Sequence, residues 1–151
     1  MTAEEQLDGF LARFTPAVEG EARAALAHMR ARIPGAVQLV YDNYNALAVA
    51  FGANETLSGV VFSVAVYPRW VSLFFAKGRR LDDPLGLLKG EGGVMRHIVL
   101  KDAGVLASPG VEALIAQALD RAEPPIDPAG PGRLVIKSVA ARRRPRRPGG
   151  D

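Results

Sequence analysis

Few of this chain's 151 residues have side chains suited to catalysis at neutral pH. There is no cysteine, which excludes thiol nucleophiles, disulfide frameworks, zinc ribbons and iron–sulfur clusters. The two imidazoles are His28 and His97. His28 falls off the apolar stripe of a helix and reads as a solvated residue. His97 alternates with Arg96 on a strand and reads either as a partly buried histidine or as a ligand contact. Neither has an HxxxH or HExxH partner, so no histidine-based metal site is predicted. Ser58, Ser63, Ser72, Ser108 and Ser138 lack the GxSxG or SxxK surroundings that activate a serine. The glycines form no Walker A loop, and Gly90 to Gly93 precede a strand rather than a helix, which predicts a flexible loop over a phosphate nest. Asp82-Asp83, Asp42 and Glu91 are oxygen donors for a hard cation, but an Asp pair before Pro84 is a turn or cap pattern. No catalytic residue, metal ligand or cofactor is predicted.

Two groups of residues remain that could recognise something. The first is Tyr41-Asp42-Asn43-Tyr44-Asn45 together with Tyr67-Pro68-Arg69-Trp70, both at turns. Their rings combine apolar area with a directed polar tip, the usual equipment of a ligand or partner contact. With the strand pair Arg96-His97 they give a candidate binding set: Tyr41, Asp42, Tyr44, Tyr67, Arg69, Trp70, Arg96 and His97. The second group is Arg142, Arg143, Arg144, Arg146 and Arg147. Residues 1–132 hold 12 Lys and Arg against 15 Asp and Glu, a balance of −3, whereas residues 133–151 hold 7 against 1, a balance of +6. The basic character therefore belongs to the C-terminal end, where it predicts either a solubilising tail or salt-dependent association with nucleic acid or another polyanion.

The elements that position these groups follow from periodicity. Thr15 caps and Pro16 opens a helix that runs to Ile33, with Val18, Ala22, Ala25, Leu26, Met29 and Ile33 on one stripe. Leu7, Phe10, Leu11 and Phe14 suggest a short helix before it. The period then changes to two: Val37, Leu39 and Tyr41 alternate along one strand, and Leu47, Val49 and Phe51 alternate with Ala46, Ala48 and Ala50 along the next. Val60 to Tyr67 and Trp70 to Ala76 form a second hairpin through Pro68-Arg69. A long loop occupies Lys77 to Val94, Met95 to Leu100 is a strand, Ser108-Pro109 opens a helix ended by Pro124-Pro125, and Leu134 to Val139 is a last strand. The expected fold is α+β, an antiparallel sheet of about five to six strands with two main helices packed on one face. Residues 1–139 form the single domain and 140–151 a basic, disordered tail. The second face of the sheet would carry small residues, as a shallow binding surface or a homodimer interface.

A hydrophobic fraction of 48% against 23% charged residues supports a packed core in one domain. No run reaches the roughly 18 apolar residues of a membrane span, and Met1 to Asp8 is acidic where a secretory signal is basic. A cytoplasmic protein without a membrane partner is expected.

The runs Val40 to Leu47 and Val66 to Val71, then Leu73-Phe74-Phe75, Leu85 to Gly90, Arg96-His97 and Leu134 to Pro148, resemble a bacterial branch of the YdhG-like family, the Domain of Unknown Function 1801. The likeness runs from about Thr15 onward. It implies a small α+β fold, an arginine-rich end as the usual ending of the branch, and no catalytic residues to carry over. One relative is described as a frataxin-like iron chaperone, which adds iron or cation chaperoning as an implied function. The acidic helix that such a role calls for is here a mixed one, with Glu19 and Glu21 beside Arg23, Arg30 and Arg32.

Overall fold

The computed structural model describes residues 1–149. Two helices come first, α1 (Ala3–Leu11) and α2 (Pro16–Arg32). Thr2 and Glu5 cap α1 reciprocally, each side chain accepting the other's backbone N–H at 3.1 Å. The Thr15 hydroxyl accepts from Val18 N at 3.4 Å, and Pro16 occupies the first turn, so α2 begins where its sequence signals place it. Its stripe of Val18, Ala22, Ala25, Leu26 and Met29 is buried. His28, expected in solvent, is half-buried with its Nε2 enclosed. The reason is that α2 touches α1, the sheet and the turn at Ala103–Ala107, which widens its buried arc beyond the stripe.

Six strands follow: β1 (Val37–Asp42), β2 (Leu47–Gly52), β3 (Val60–Val66), β4 (Val71–Phe75), β5 (Arg96–Leu100) and β6 (Leu134–Val139). A third helix, α3 (Pro109–Asp120), lies between β5 and β6. The sheet order is β5-β4-β3-β2-β1-β6. Both expected hairpins form, and β2–β3 and β4–β5 are antiparallel as well. The sheet is nevertheless mixed, because β6 runs parallel to β1. Short connections enforce antiparallel pairing only between strands they join, and β6 arrives from α3 after a long excursion.

The helices share one face of the sheet. Val49, Phe51, Phe62, Val64, Leu73 and Phe75 meet them in a continuous core with Leu26, Met29 and Ile115. β1 is apolar on both sides: Val40 joins this core, while Val37 and Leu39 pack with Ala50 on the opposite face. That second face carries small residues, Ala48, Ala50, Ser63, Ala65 and Ser72, in register across β2, β3 and β4. Among the described residues no helix is long and apolar enough to cross a membrane.

Candidate functional site

The β1–β2 and β3–β4 turns lie side by side, because Leu47 pairs with Val66. Each is closed by the same bond: Asn43 N–H donates to Ala46 O at 3.0 Å, and Tyr67 N–H donates to Trp70 O at 2.9 Å. The second closure sets Tyr67 and Trp70 across the turn from each other, and their rings stack with centroids 4.6 Å apart at 17°. Tyr67 is half-buried and its phenol pKa is raised by that burial. Trp70 keeps 41% of its surface exposed, so the indole has a neighbour behind it and solvent in front. The exposed Arg69 and the side chains of Asn45 and Arg144 complete a cavity of about 540 Å³ around the pair.

The C-terminal segment comes to the same end of the sheet. Val139 pairs with Asp42, Ala140 N–H donates to Asp42 O at 2.8 Å, and Arg144 N–H donates to Tyr44 O at 2.9 Å. The expectation of a disordered tail at 140–151 is corrected here over residues 140–149; residues 150 and 151 lie outside the described residues. Asp42 causes the docking. It points into the helix side of the sheet and is 1% exposed, a position no carboxylate holds without compensation. Its Oδ1 accepts from Arg146 at 2.9 Å and its Oδ2 from Arg143 at 2.5 Å, with the Arg13 guanidinium 3.9 Å away. Arg146, also 1% exposed, donates further to the carbonyls of Tyr44 and Asn43 and lies over the Phe14 ring at 5.8 Å. Arg147 reaches the Arg13 carbonyl at 3.0 Å. Asp42 is thus part of the scaffold and not an exposed ligand contact.

These arginines do not cancel one another's charge. Arg13, Arg143, Arg144, Arg146 and Arg147 line one cavity of about 550 Å³, and three of them, Arg13, Arg143 and Arg146, converge on Asp42. Several guanidiniums around one carboxylate repel each other, and an added anion relieves that repulsion. Arg144 lines this cavity and the Tyr67–Trp70 cavity alike, so a basic pocket and an aromatic platform are contiguous. Its guanidinium also lies 5.6 Å from the exposed Tyr44 ring. Arg142 is exposed beside them.

The other sequence candidates separate from this site. Arg96 pairs with Phe75 and Leu100 with Val71, which places Arg96 at the far end of β4 from Trp70. Its guanidinium donates to the carbonyls of Gly92 and Met95 and closes the loop where Gly90 and Gly92 take positive φ. His97 lies against Phe74 on the small-residue face, ring centroids 5.0 Å apart. Tyr41 is half-buried on that face, opposite Ala48 and Ser138, where burial raises its pKa. Arg96, His97 and Tyr41 are therefore withdrawn from the turn-end site. Asp83 accepts from Leu87 and Leu88 N–H as a turn residue, and Asp82 pairs with Arg121. Among the described residues no three His, Asp or Glu side chains converge in a way that could hold a metal ion. Sequence reasoning missed Arg13, which carries no motif and joins the site only through the fold; Asn45, part of the turn group but outside the candidate binding set, lines the Tyr67–Trp70 cavity. No family model, curated protein or solved structure matches the chain.

Proposed function

We propose that the protein is a non-catalytic, cytoplasmic binding module whose turn end takes a small ligand bearing both an anionic group and a ring. The observation that carries this reading is the shared Arg144: one side chain lines both the arginine cavity and the Tyr67–Trp70 cavity. Phosphate or carboxylate oxygens fit the planar guanidiniums of the exposed Arg144 and Arg147, and a ring fits the open face of an indole already backed by Tyr67.

The test is thermal shift and calorimetry with inorganic triphosphate, a nucleoside and a nucleoside triphosphate. A ligand at a hundredfold excess over Kd that binds only the folded state adds about 2.7 kcal/mol, which for a chain of this size moves the midpoint by roughly 5–10 °C. The intact protein is expected to respond to the triphosphates, and most to the one carrying a ring. Trp70→Ala should reduce that extra response, and Arg144→Ala should reduce both. Absence of any response, or equal response from intact protein and both variants, ends this reading.

Association with a single-stranded nucleic acid is a second reading, favoured by the exposure of Arg142, Arg144 and Arg147, of which Arg144 shares a cavity with Trp70. It predicts an affinity that falls steeply with salt. Deleting residues 142–151 does not test it, because that deletion also removes Arg143 and Arg146, the close partners of Asp42; Arg142→Ala with Arg147→Ala removes charge and leaves that docking pair in place.

A further inference from the structure

At the opposite end of the sheet from the turns lies a smaller cavity, about 250 Å³, between the end of β4, the start of β3 and the last turn of α3. Its floor is apolar: Phe75 is fully buried, and Val61, Leu81, Ala118 and Ala122 close the sides. Its rim carries Lys77, Arg80 and Arg121. Arg121 is committed, donating to Arg80 O at 2.8 Å and to Asp82 Oδ2 at 2.9 Å. The side chains of Lys77 and Arg80 have no carboxylate or hydrogen-bond partner among the described residues, and both are exposed.

We infer that this cavity binds a small amphipathic carboxylate, with its ring or branched chain against the half-buried Val61, Leu81 and Ala122 and its head group at Lys77 and Arg80. Size restricts the guest, since the volume falls below the roughly 300–1,000 Å³ of sites for drug-sized ligands and suits one ring with a short chain. Charge selects the head group. Against three rim cations stand Glu123, Asp82 and the C-terminal end of α3, whose dipole is worth about half a charge. Asp82 is already neutralised by Arg121, so the two uncommitted cations outweigh Glu123 and the helix end. A neutral apolar guest would leave those cations without a partner, and a cationic one would meet them head on. The site shares no residue with the turn-end cavities, so it is independent of the function proposed above.

The experiment is an NMR titration of backbone amides with 3-phenylpropionate and, separately, its neutral amide 3-phenylpropionamide. Saturable shifts at residues 59–61, 75–81 and 118–123 are expected with the carboxylate, and about tenfold weaker binding with the amide. Lys77→Gln with Arg80→Gln, both on exposed side chains, should weaken the carboxylate to the level of the amide. Ala122→Phe, which fills the cavity from its half-buried wall, should abolish both, while Trp70→Ala should change neither. Carboxylate and amide binding equally, shifts that map away from these segments, or no saturable shift in the folded intact protein would each overturn the assignment.

Discussion

The Asp42 side and the Trp70 side of the turn end use the same residue type in opposite ways. Under Asp42, Arg146 is enclosed and donates to the Asp42 carboxylate and to the carbonyls of Asn43 and Tyr44, so its charge is spent on holding the C-terminal segment to β1. Beside Trp70, the side chains of Arg69 and Arg144 stay exposed, and that of Arg144 lies over the face of Tyr44. A buried guanidinium is demanded by the fold once its carboxylate is buried; an exposed one that the fold does not need is available to a ligand. The arginines of one sequence cluster thus divide into structural and recognition groups by what lies beneath them.

The largest effect that can break this comparison is at Asp42. Asp42→Ala leaves Arg146 buried without its carboxylate and is expected to cost about 3–5 kcal/mol, read as a loss of unfolding free energy in denaturant titration. Asp42→Leu combined with Arg146→Met should recover most of that loss, since an apolar pair needs no compensation. If Asp42→Ala is instead as stable as the intact chain, the docked segment contributes nothing to the fold. The next effect sharpens the other side: Trp70→Ala should cost less, about 1–3 kcal/mol for the aromatic pair and the covered part of the indole together, while removing the ring-dependent part of ligand binding. Arg142→Ala should leave stability within about 0.5 kcal/mol and, if nucleic acid binds, lower the slope of log affinity against log salt by about 1.

The smallest expected effect is alkaline. Burial raises the phenol pKa of Tyr67 in the folded state. Below its ordinary value near 10 both states are protonated and stability is independent of this group. As pH rises through that value the unfolded chain loses the proton first, so stability falls until the folded-state phenol ionises as well. Tyr67→Phe should therefore flatten the decline in melting temperature above about pH 10 relative to the intact protein.

The hairpin turns were legible because their chemistry is local. Pro68, the Asn43 to Asn45 run and the alternation on either side lie within a few residues of the bonds they produce, and the same holds for the Thr15-Pro16 start of α2. The aromatic part of the site was legible for the same reason: Tyr67 and Trp70 flank one turn, so their stacking follows once the hairpin forms. Arg96 and His97 misled because adjacency of types says nothing about which end of a strand meets which turn; only the pairing of Phe75 with Arg96 decides that.

By itself the sequence determined the α+β class, the two hairpins, the Thr15-capped start of α2 and the accumulation of positive charge beyond residue 132, all of them properties of short windows. The tertiary structure decided the rest. It ran β6 parallel to β1, a choice set by which sheet edge was open and not by any turn. It buried Asp42, although the alternation of Val37, Leu39 and Tyr41 left both faces of β1 possible, because Leu39 packs opposite Ala50 on the small-residue side. Once Asp42 faced inward, its desolvation drew in Arg143 and Arg146 from about a hundred residues away. A charge run reads as solvent-facing until the fold supplies a buried opposite charge, and that charge is visible only when the strands have been registered.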